Sequence, residues 1–263
     1  MSAKGSEFEG KVVVVTGGNR GIGLAIGRRF AAAGARLAIC GRDEAALDTA
    51  HSLLAQETDC FAATCDLADA AAVERFSKDV LGRFGSVDVV VANAGGVGPA
   101  SLLHETSWGD WRECIASNLD ATFLTFKAFV PTMIAQGHGS LIAFASVAGK
   151  KPIEGRSAYG AAKLAIVGLV RALAVEVGRH GINVNAISPG GVEGERFSGN
   201  VRRLASVSGR SEEAVRADFS EATPMRRLVS ADDVAGACLF LASRAAAAIT
   251  GEDLNVSNGL VMY

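Results

Sequence analysis

The chain has 263 residues, of which 49% are hydrophobic and 21% charged, and its net charge at pH 7 is −2. This composition is typical of a globular protein, the length predicts a single domain, and the charge argues against a dedicated nucleic-acid surface. The start of the chain lacks the order of a signal peptide, and no apolar run reaches membrane-spanning length, so we expect a cytoplasmic protein that does not bind a membrane. We expect residues 1–9 to form a loose tail.

The five cysteines are odd in number and form no C-x-x-C pair. This pattern predicts reduced, mostly buried thiols rather than a disulfide framework. The four histidines lack the spacing of metal ligands, so we predict no metal site.

The first predicted element is a β-branched strand over Val12 to Val15, followed by the sequence TGGNRGIG (16–23) and a helix that Gly34 ends. Many turns between a strand and a helix carry glycines. Here the glycine turn (Gly17, Gly21 and Gly23) stands directly between a buried strand and an amphipathic helix. This order predicts a pyrophosphate site formed by backbone N–H groups and the helix N-terminus.

The second predicted strand, Arg36 to Cys40, ends where a dinucleotide's adenosine ribose would lie. An acidic residue there would bind the 2′-hydroxyl of NAD, but the chain has Gly41 and Arg42. Asp43 and Glu44 are better explained as the start of a helix. Arg42 and Arg20 therefore favour the 2′-phosphate of NADP. In the alternative, Arg42 is a solvated charge and the site accepts NAD.

The alternation of strand and helix continues through the middle of the chain. Asp66 follows a predicted strand and could bind the adenine amino group or cap the next helix. Asn118 lies at a junction between two predicted helices, where we expect its side chain to bind backbone or water. The predicted elements are strands at Cys60–Cys65 and Val87–Ala92, the latter ending in Asn93–Gly96, and helices at Ala70–Phe84, Ser107–Ser117 and Leu119–Ala135.

The central stretch begins with a predicted strand, Leu141–Ala145, that ends at Ser146. A helix follows, with Ser157 as its expected N-cap. Tyr159 and Lys163 are four residues apart, so they lie on one helix face. A nearby ammonium would lower the pKa of the phenol and make it a proton donor and acceptor. Taken alone, the pair could also belong to an ordinary buried helix.

The last part of the chain is predicted to contain a strand at Ile182–Ile187, a helix at Ala231–Ala242 that begins with a Ser230/Asp233 capping pair, and a strand at Ile249–Asn258. Pro189 and the following glycines break the structure at a strand's carboxyl end, where ligands bind in such sheets. Residues 191–221 are mainly polar, and we interpret them as a substrate lid with a helix near Glu212–Phe219. A solvated insertion without a gating role is the alternative.

Taken together and in order, these motifs make the chain resemble the short-chain dehydrogenases/reductases of the ordinary, non-extended type, from about Gly10 to Val261. The matching residues are TGGNRGIG (16–23), Asp66, NAG (93–95), Asn118, Ser146, YGAAK (159–163) and PG (189–190). The resemblance implies an α/β fold with a doubly wound, seven-stranded parallel sheet in the order 3-2-1-4-5-6-7. It also implies NAD(P)-dependent hydride transfer between nicotinamide and a secondary alcohol or ketone.

The resemblance further implies roles for individual residues. Tyr159 would be the general acid/base, Lys163 would bond the nicotinamide ribose and lower the tyrosine's pKa, Ser146 would polarise the carbonyl, and Asn118 would hold a water that links Lys163 to solvent. The cofactor site would comprise Gly17, Asn19, Arg20, Gly21, Ile22, Gly23, Arg42, Asp66, Leu67, Asn93, Ala94, Gly95, Tyr159, Lys163, Pro189, Gly190 and Val192.

One departure from the family pattern lies after Val192, where Glu193 and Gly194 stand in place of a frequent Thr or Ser. The resemblance implies a homotetramer packed through the helices at Leu119–Ala135 and Tyr159–Val177.

Two other functions compete with the oxidoreductase: a catalytically silent NAD(P)-binding sensor or scaffold of the same fold, and an epimerase or dehydratase. The first would be expected to lack Ser146, Tyr159 or Lys163, and the second usually has a larger substrate domain. Arg156, Arg196 and Arg202 could bind an acidic group of the substrate or could be solvated.

Overall fold

One parallel sheet of seven strands, in the order β3-β2-β1-β4-β5-β6-β7, forms the centre of the protein in the computed structural model, which describes residues 6–263. This order confirms the predicted doubly wound α/β fold. The strand order reverses between β1 and β4, and ligands bind at such a switch point, beyond the carboxyl ends of the strands. The strands are β1 Val12–Thr16, β2 Arg36–Gly41, β3 Cys60–Thr64, β4 Val89–Ala92, β5 Gly139–Phe144, β6 Ile182–Pro189 and β7 Asp253–Val256.

Helices cover both faces of the sheet. They are α1 Gly21–Ala32, α2 Glu44–Leu54, α3 Ala70–Phe84, α4 Trp108–Ile115, α5 Ala121–Gln136, α6 Ser157–Val177, α7 Glu195–Ser208, α8 Glu212–Glu221 and α9 Ala231–Ala242. Short 3₁₀ turns occur at Leu103–Glu105, Val147–Gly149, Gly178–His180 and Arg244–Ala246. Within residues 6–263, no helix combines the length and apolarity that crossing a bilayer requires.

The strands are apolar on both faces because both are covered. In β1, Val12 and Val14 pack into the cluster under α3, α5 and α6, whereas Val13 and Val15 pack into the cluster under α1, α2 and α9. A run of β-branched residues suits a strand buried on both sides. The sheet is therefore held rigidly between two apolar layers.

The structure corrects several predicted boundaries. Phe8 is buried and meets Phe30 edge-on, with ring centroids 5.1 Å apart, so residues 6–9 are not a loose tail. Residues 1–5 lie outside the described part.

Two helix caps also differ from the prediction. Ser157 is the first residue of α6 and not its cap, a position held by Arg156. Asp69, not Asp66, caps α3 through Ala71 N–H. The last strand is limited to Asp253–Val256.

The segment proposed as a lid, residues 191–221, contains two helices where one short helix was predicted. Phe197 and Val201 of α7 and Val215 of α8 form a small apolar cluster with Leu228. The rings of Phe197 and Phe219 meet at 5.1 Å in a T-shaped contact. The segment thus has its own core, separate from the two layers of the sheet.

Candidate active site

The glycine turn leaves space against the end of β4. Gly17 has a φ of +64°, and a Cβ there would lie 3.1 Å from the Ala94 Cα. A Cβ on Gly23 would lie 2.1 Å from the Gly17 carbonyl oxygen, so α1 packs closely under the turn. Gly21 also has a positive φ, and a Cβ there would meet nothing within 4 Å. These positions require glycine for different reasons: conformation at Gly17 and Gly21, and close packing at Gly23.

The turn presents an anion-binding helix N-terminus. Arg20 stands at the N-cap position of α1, and among the described contacts its side chain makes no capping bond. The first N–H groups of α1 therefore remain free for a bound phosphate. Ile22 packs on the cluster beneath the turn, so the turn is anchored from below.

The end of β2 forms the predicted ribose end of the site. Gly41 is buried, and a Cβ there would lie 3.0 Å from the Asn19 side chain, which connects the glycine turn to β2. Arg42 is exposed directly beyond the strand. Asp43 accepts a hydrogen bond from Ala46 N–H at 3.1 Å and caps α2, as predicted. Its carboxylate therefore serves the helix.

The predicted adenine end follows β3. Asp66 is exposed, and its Oδ1 accepts a bond from Ala68 N–H at 3.1 Å. Leu67 beside it is buried in the core. This turn fixes the Asp66 backbone at the sheet's carboxyl edge and leaves its other carboxylate oxygen available.

Asn93 connects the ends of β4 and β1. Its Nδ2 donates to the carbonyl oxygens of Thr16 at 2.9 Å and Gly17 at 3.2 Å. The Thr16 hydroxyl accepts from Ala94 N–H at 3.2 Å. These bonds hold the NAG segment beside the glycine turn, as one wall of the same cleft.

Tyr159 and Lys163 face the same cleft from α6. Lys163 is 4% exposed, and its Nζ donates to the Phe144 carbonyl oxygen at 2.7 Å, at the end of β5. The same Nζ lies 5.6 Å from the centroid of the Tyr159 ring. Ser146 begins the next turn, where its hydroxyl accepts from Ala148 N–H at 3.1 Å. The structure therefore brings these three predicted residues together at the carboxyl end of β5.

Burial controls the ionisation of this group. It raises the pKa of Tyr159, although the Ser146 hydroxyl and the charges of Arg196 and Arg156 act in the opposite direction. Burial, followed by the charge of Arg196, lowers the pKa of Lys163 to about 7. A lysine with a pKa near 7 carries only part of a positive charge at neutral pH, so it stabilises the phenolate weakly, and burial of the phenol opposes its ionisation. The groups of this chain alone therefore do not produce the predicted lowering of the Tyr159 pKa.

Asn118 stands in a π-helical turn, Ala116–Asp120, between α4 and α5. Its Nδ2 donates to the carbonyl oxygens of Cys114 at 2.8 Å and Gly96 at 3.0 Å. Its Oδ1 is buried, and no described protein group donates to it. A Cβ on Gly95 would lie 2.6 Å from this oxygen and 3.3 Å from the Lys163 Nζ. The unsatisfied acceptor is therefore close to the lysine, as a bridging water would require.

The end of β6 forms the opposite wall. Pro189 ends the strand, and a Cβ on Gly190 would lie 3.1 Å from the Ser257 Cα. Val192 makes an isolated parallel bridge with Val229, which anchors the start of segment 191–221. Glu193 and Gly194 are exposed. Two residues further, Arg196 Nη2 donates to the Gly95 carbonyl oxygen at 3.1 Å, so segment 191–221 reaches across to the NAG segment.

Sequence reasoning missed two features of the site. Gly18 is required because a Cβ there would lie 2.7 Å from the Ile39 side chain; its place in the glycine run was the available signal.

The second feature is the ion pair of Lys150 and Asp253, which lie 2.9 Å apart with their side chains 10% and 3% exposed. It connects the loop after Ser146 to β7. The two residues are 103 positions apart in the chain, and no sequence signal indicated this pairing.

The residues at the sheet's edge fit a nicotinamide dinucleotide. The glycine turn leaves space that side chains would fill, the α1 N-terminus offers N–H groups to a pyrophosphate, and Asn118 holds an unpaired buried acceptor beside Lys163. Fold and site together define an α/β protein whose sheet edge has the shape and polar groups to fit a nicotinamide dinucleotide.

Comparison with known proteins identifies the family. Residues 17–261 match a family model described as enoyl-(acyl carrier protein) reductase. The chain belongs to the short-chain dehydrogenase/reductase family, whose members are NAD(P)-dependent oxidoreductases.

Among its relatives is a granaticin polyketide synthase putative ketoacyl reductase of Streptomyces violaceoruber, 37% identical over 96% of this chain and 93% of the relative. The 3-oxoacyl-[acyl-carrier-protein] reductase FabG of Escherichia coli is 34% identical over 97% and 99%. A crystal structure of a variant of actinorhodin polyketide ketoreductase with NADPH superposes with a TM-score of 0.93, at 32% identity over 97% and 98% of the two chains. NAD⁺-bound xylitol dehydrogenase has a TM-score of 0.92 at 29% identity, over 96% and 100%.

Proposed function

We propose that this protein is an NADP(H)-preferring oxidoreductase that interconverts a ketone and a secondary alcohol, with Tyr159 as general acid/base. The observation that carries the proposal is the convergence of Tyr159, Lys163 and Ser146 at the end of β5, beside the NAG segment. A silent sensor or scaffold would have no need to keep all three side chains, so the enzyme is favoured.

The residues of this chain would divide the reaction between them. The bound nicotinamide supplies or accepts the hydride. In reduction, the Tyr159 hydroxyl donates its proton to the carbonyl oxygen while the Ser146 hydroxyl hydrogen-bonds the same oxygen. Because burial raises the pKa of Tyr159, the phenol keeps its proton at neutral pH, which is the form that reduction needs.

Lys163 and Asn118 would return the proton to Tyr159. Lys163 would bond the nicotinamide ribose, and its pKa of about 7 allows it to gain and lose a proton near neutral pH. The unpaired Asn118 Oδ1 would hold a water next to the Lys163 Nζ. Proton supply would then pass from solvent through that water to the lysine.

The preference for NADP rests on Arg42 and Arg20. Both are exposed beside the end of β2 and the glycine turn, and the nearby Asp43 carboxylate caps α2. A 2′-phosphate would thus meet two guanidinium groups, whereas the ribose 2′-hydroxyl of NAD would have no free acid at this position.

Residues 191–221 would close over the substrate as a lid, because Arg196 already joins them to Gly95.

The test is the ratio of kcat/KM for NADPH over NADH in carbonyl reduction, for the wild type and Arg42→Ala. We expect the wild type to prefer NADPH and Arg42→Ala to lose about tenfold of that preference, the effect of one charge-assisted contact. Arg179→Ala, in the turn before β6, is the matched control and should keep the wild-type ratio. A preference for NADH that Arg42→Ala leaves unchanged would reject the cofactor assignment.

A further inference from the structure

Helix α7 of the lid carries two kinds of residue on opposite sides. Phe197, Val201 and Ala205 face the lid's own apolar cluster. Arg196 and Arg203 are seven residues apart, so they share another side of the helix. The hydrogen bond from Arg196 to the Gly95 carbonyl oxygen places that side of α7 toward the catalytic cleft.

Arg196 lies next to the catalytic group. Its Nη2 donates to the Gly95 carbonyl oxygen at 3.1 Å. Its positive charge also acts on both neighbours, since it lowers the pKa of Tyr159 and of Lys163. Because a Cβ on Gly95 would lie 3.3 Å from the Lys163 Nζ, the bond to Gly95 places this guanidinium near the catalytic group.

Arg156 lies on the substrate side of the same cleft. Arg156, just before α6, donates from Nη1 to the carbonyl oxygens of Val97, Gly98 and Pro99 at 3.2–3.3 Å. It thereby holds the loop that follows β4. Burial, followed by the charge of Arg203, lowers the pKa of Arg156. The Arg203 Nη2 itself donates to the Asn200 Oδ1 at 3.2 Å, three residues back on α7.

These three side chains, here called the arginine cluster (Arg156, Arg196 and Arg203), form no ion pair with a carboxylate among the described residues. Other arginines do: Arg210 pairs with Asp218 and Arg227 with Asp233. Like charges that face each other repel, and the repulsion is stronger where water is partly excluded. An anion brought in by a ligand would relieve it.

Two anions could reach this region, one on the cofactor and one on the substrate. The cofactor's pyrophosphate belongs at the glycine turn, where the N-terminus of α1 is free. Arg196 and Arg156 of the arginine cluster instead contact Gly95 and the loop 97–99, and the positive charges of both lower the pKa of Tyr159. The position of the cluster thus matches the substrate end of the cleft.

We infer that the arginine cluster binds an anionic oxygen group, a carboxylate or a phosphate, carried by the substrate. The inference rests on the proposed oxidoreductase function and narrows its substrate class to acidic carbonyl compounds and their alcohols. Planar guanidinium groups suit both anions, because each presents paired N–H donors. Arg202, an alternative candidate from the sequence, has no contact with this group among the described residues.

The test compares charged and neutral ketones of similar shape. The pairs are 4-oxocyclohexanecarboxylate with its methyl ester, and dihydroxyacetone phosphate with dihydroxyacetone. Dissociation constants are measured by calorimetry in saturating NADP⁺, which cannot reduce a ketone. We expect the charged member of at least one pair to bind about tenfold more tightly, the effect of one charge-assisted contact.

Variants identify the residues responsible. Arg203→Ala and Arg196→Ala should remove most of the advantage of the charged probe, Arg203→Lys should keep part of it, and Arg202→Ala should keep all of it. Thermal melting of each variant separates lost binding from lost folding. Equal affinity within both pairs, or an advantage that survives Arg196→Ala and Arg203→Ala together, would overturn the inference.

Reduction of the same probes by NADPH separates this inference from the proposed function. Turnover of neutral and charged ketones with equal affinity would reject the anion site and leave the oxidoreductase standing. Tight, arginine-dependent binding of charged probes, without reduction of these or of a wider range of ketones, would support the anion site and reject the proposed function.

Discussion

At the scale of single residues, burial is the largest influence on the ionisation of both Tyr159 and Lys163. The four-residue spacing of Tyr159 and Lys163 places them on one helix face, and the structure brings both beside Ser146. The directions of their pKa shifts depend on burial, since Lys163 is 4% exposed and lies under the end of β5. A spacing pattern contains no information on the surrounding dielectric. The sequence therefore predicted that Tyr159 and Lys163 lie together, but not the directions of their pKa shifts.

The lowered pKa of Lys163 predicts a pH-dependent stability. The lysine has a pKa of about 7 in the folded chain and about 10.4 when unfolded, so between these values the unfolded state binds more protons. Its contribution to the free energy of unfolding should therefore rise with pH over that window and be constant and unfavourable below about pH 7. In urea unfolding, Lys163→Met should lack this rise. Parallel stability curves for wild type and variant from about pH 7 to 10 would contradict the buried, deprotonating lysine.

At the scale of elements, the regular strands and helices were predictable and the lid was not. Helix α3 spans Ala70–Phe84, as predicted, and Ser230 with Asp233 forms the predicted capping box of α9. Helix α7 was missed because its few apolar residues pack within the lid and not on the sheet. The π turn at Asn118 was also missed, because it depends on bonds to Cys114 and Gly96 that only the folded loop provides.

The ion pair of Lys150 and Asp253 connects two elements and predicts a stability effect. Asp253→Asn would remove the counter-charge of the Lys150 ammonium, which keeps its hydrogen bond to the Asn255 Oδ1 at 2.7 Å. We therefore expect a loss of about 3 kcal/mol in the free energy of unfolding, the lower end for a broken buried pair. Asp232→Asn, in the exposed pair with Arg29, is the matched control and should cost at most about 1 kcal/mol. Urea unfolding at neutral pH compares the two. Equal losses would mean that burial does not strengthen the pair at Lys150.

At the scale of the whole molecule, the sheet order was predicted through the resemblance to a known family. The alternation of strands and helices alone only restricts a parallel sheet to few arrangements. The assembly of subunits remains a prediction. On α6, Leu164 is 55% exposed and Val175 is 85% exposed; on α5, Phe123 is 46% exposed. These apolar side chains lie on the two helices that were predicted to pack between subunits, and their contact with a second copy would remove them from water.

We therefore expect sedimentation velocity at micromolar concentration to give a mass near four times the 27.0 kDa chain. Val175→Asp places a charge in the expected contact and should yield smaller species. Val207→Asp, similarly exposed but on the lid helix α7, should leave the mass unchanged. A wild-type protein that sediments as a monomer would reject the tetramer.

The central claim is that Tyr159 exchanges the proton while the nicotinamide exchanges the hydride. Its most direct test is kcat for carbonyl reduction together with the dissociation constant for NADPH, measured for Tyr159→Phe and for Tyr263→Phe, which changes the chain's other tyrosine. We predict that Tyr159→Phe loses about 10²–10⁴-fold in kcat and binds NADPH within about twofold of wild type, because only the proton donor is removed. Tyr263→Phe should keep wild-type kcat. Wild-type turnover by Tyr159→Phe would contradict the assignment.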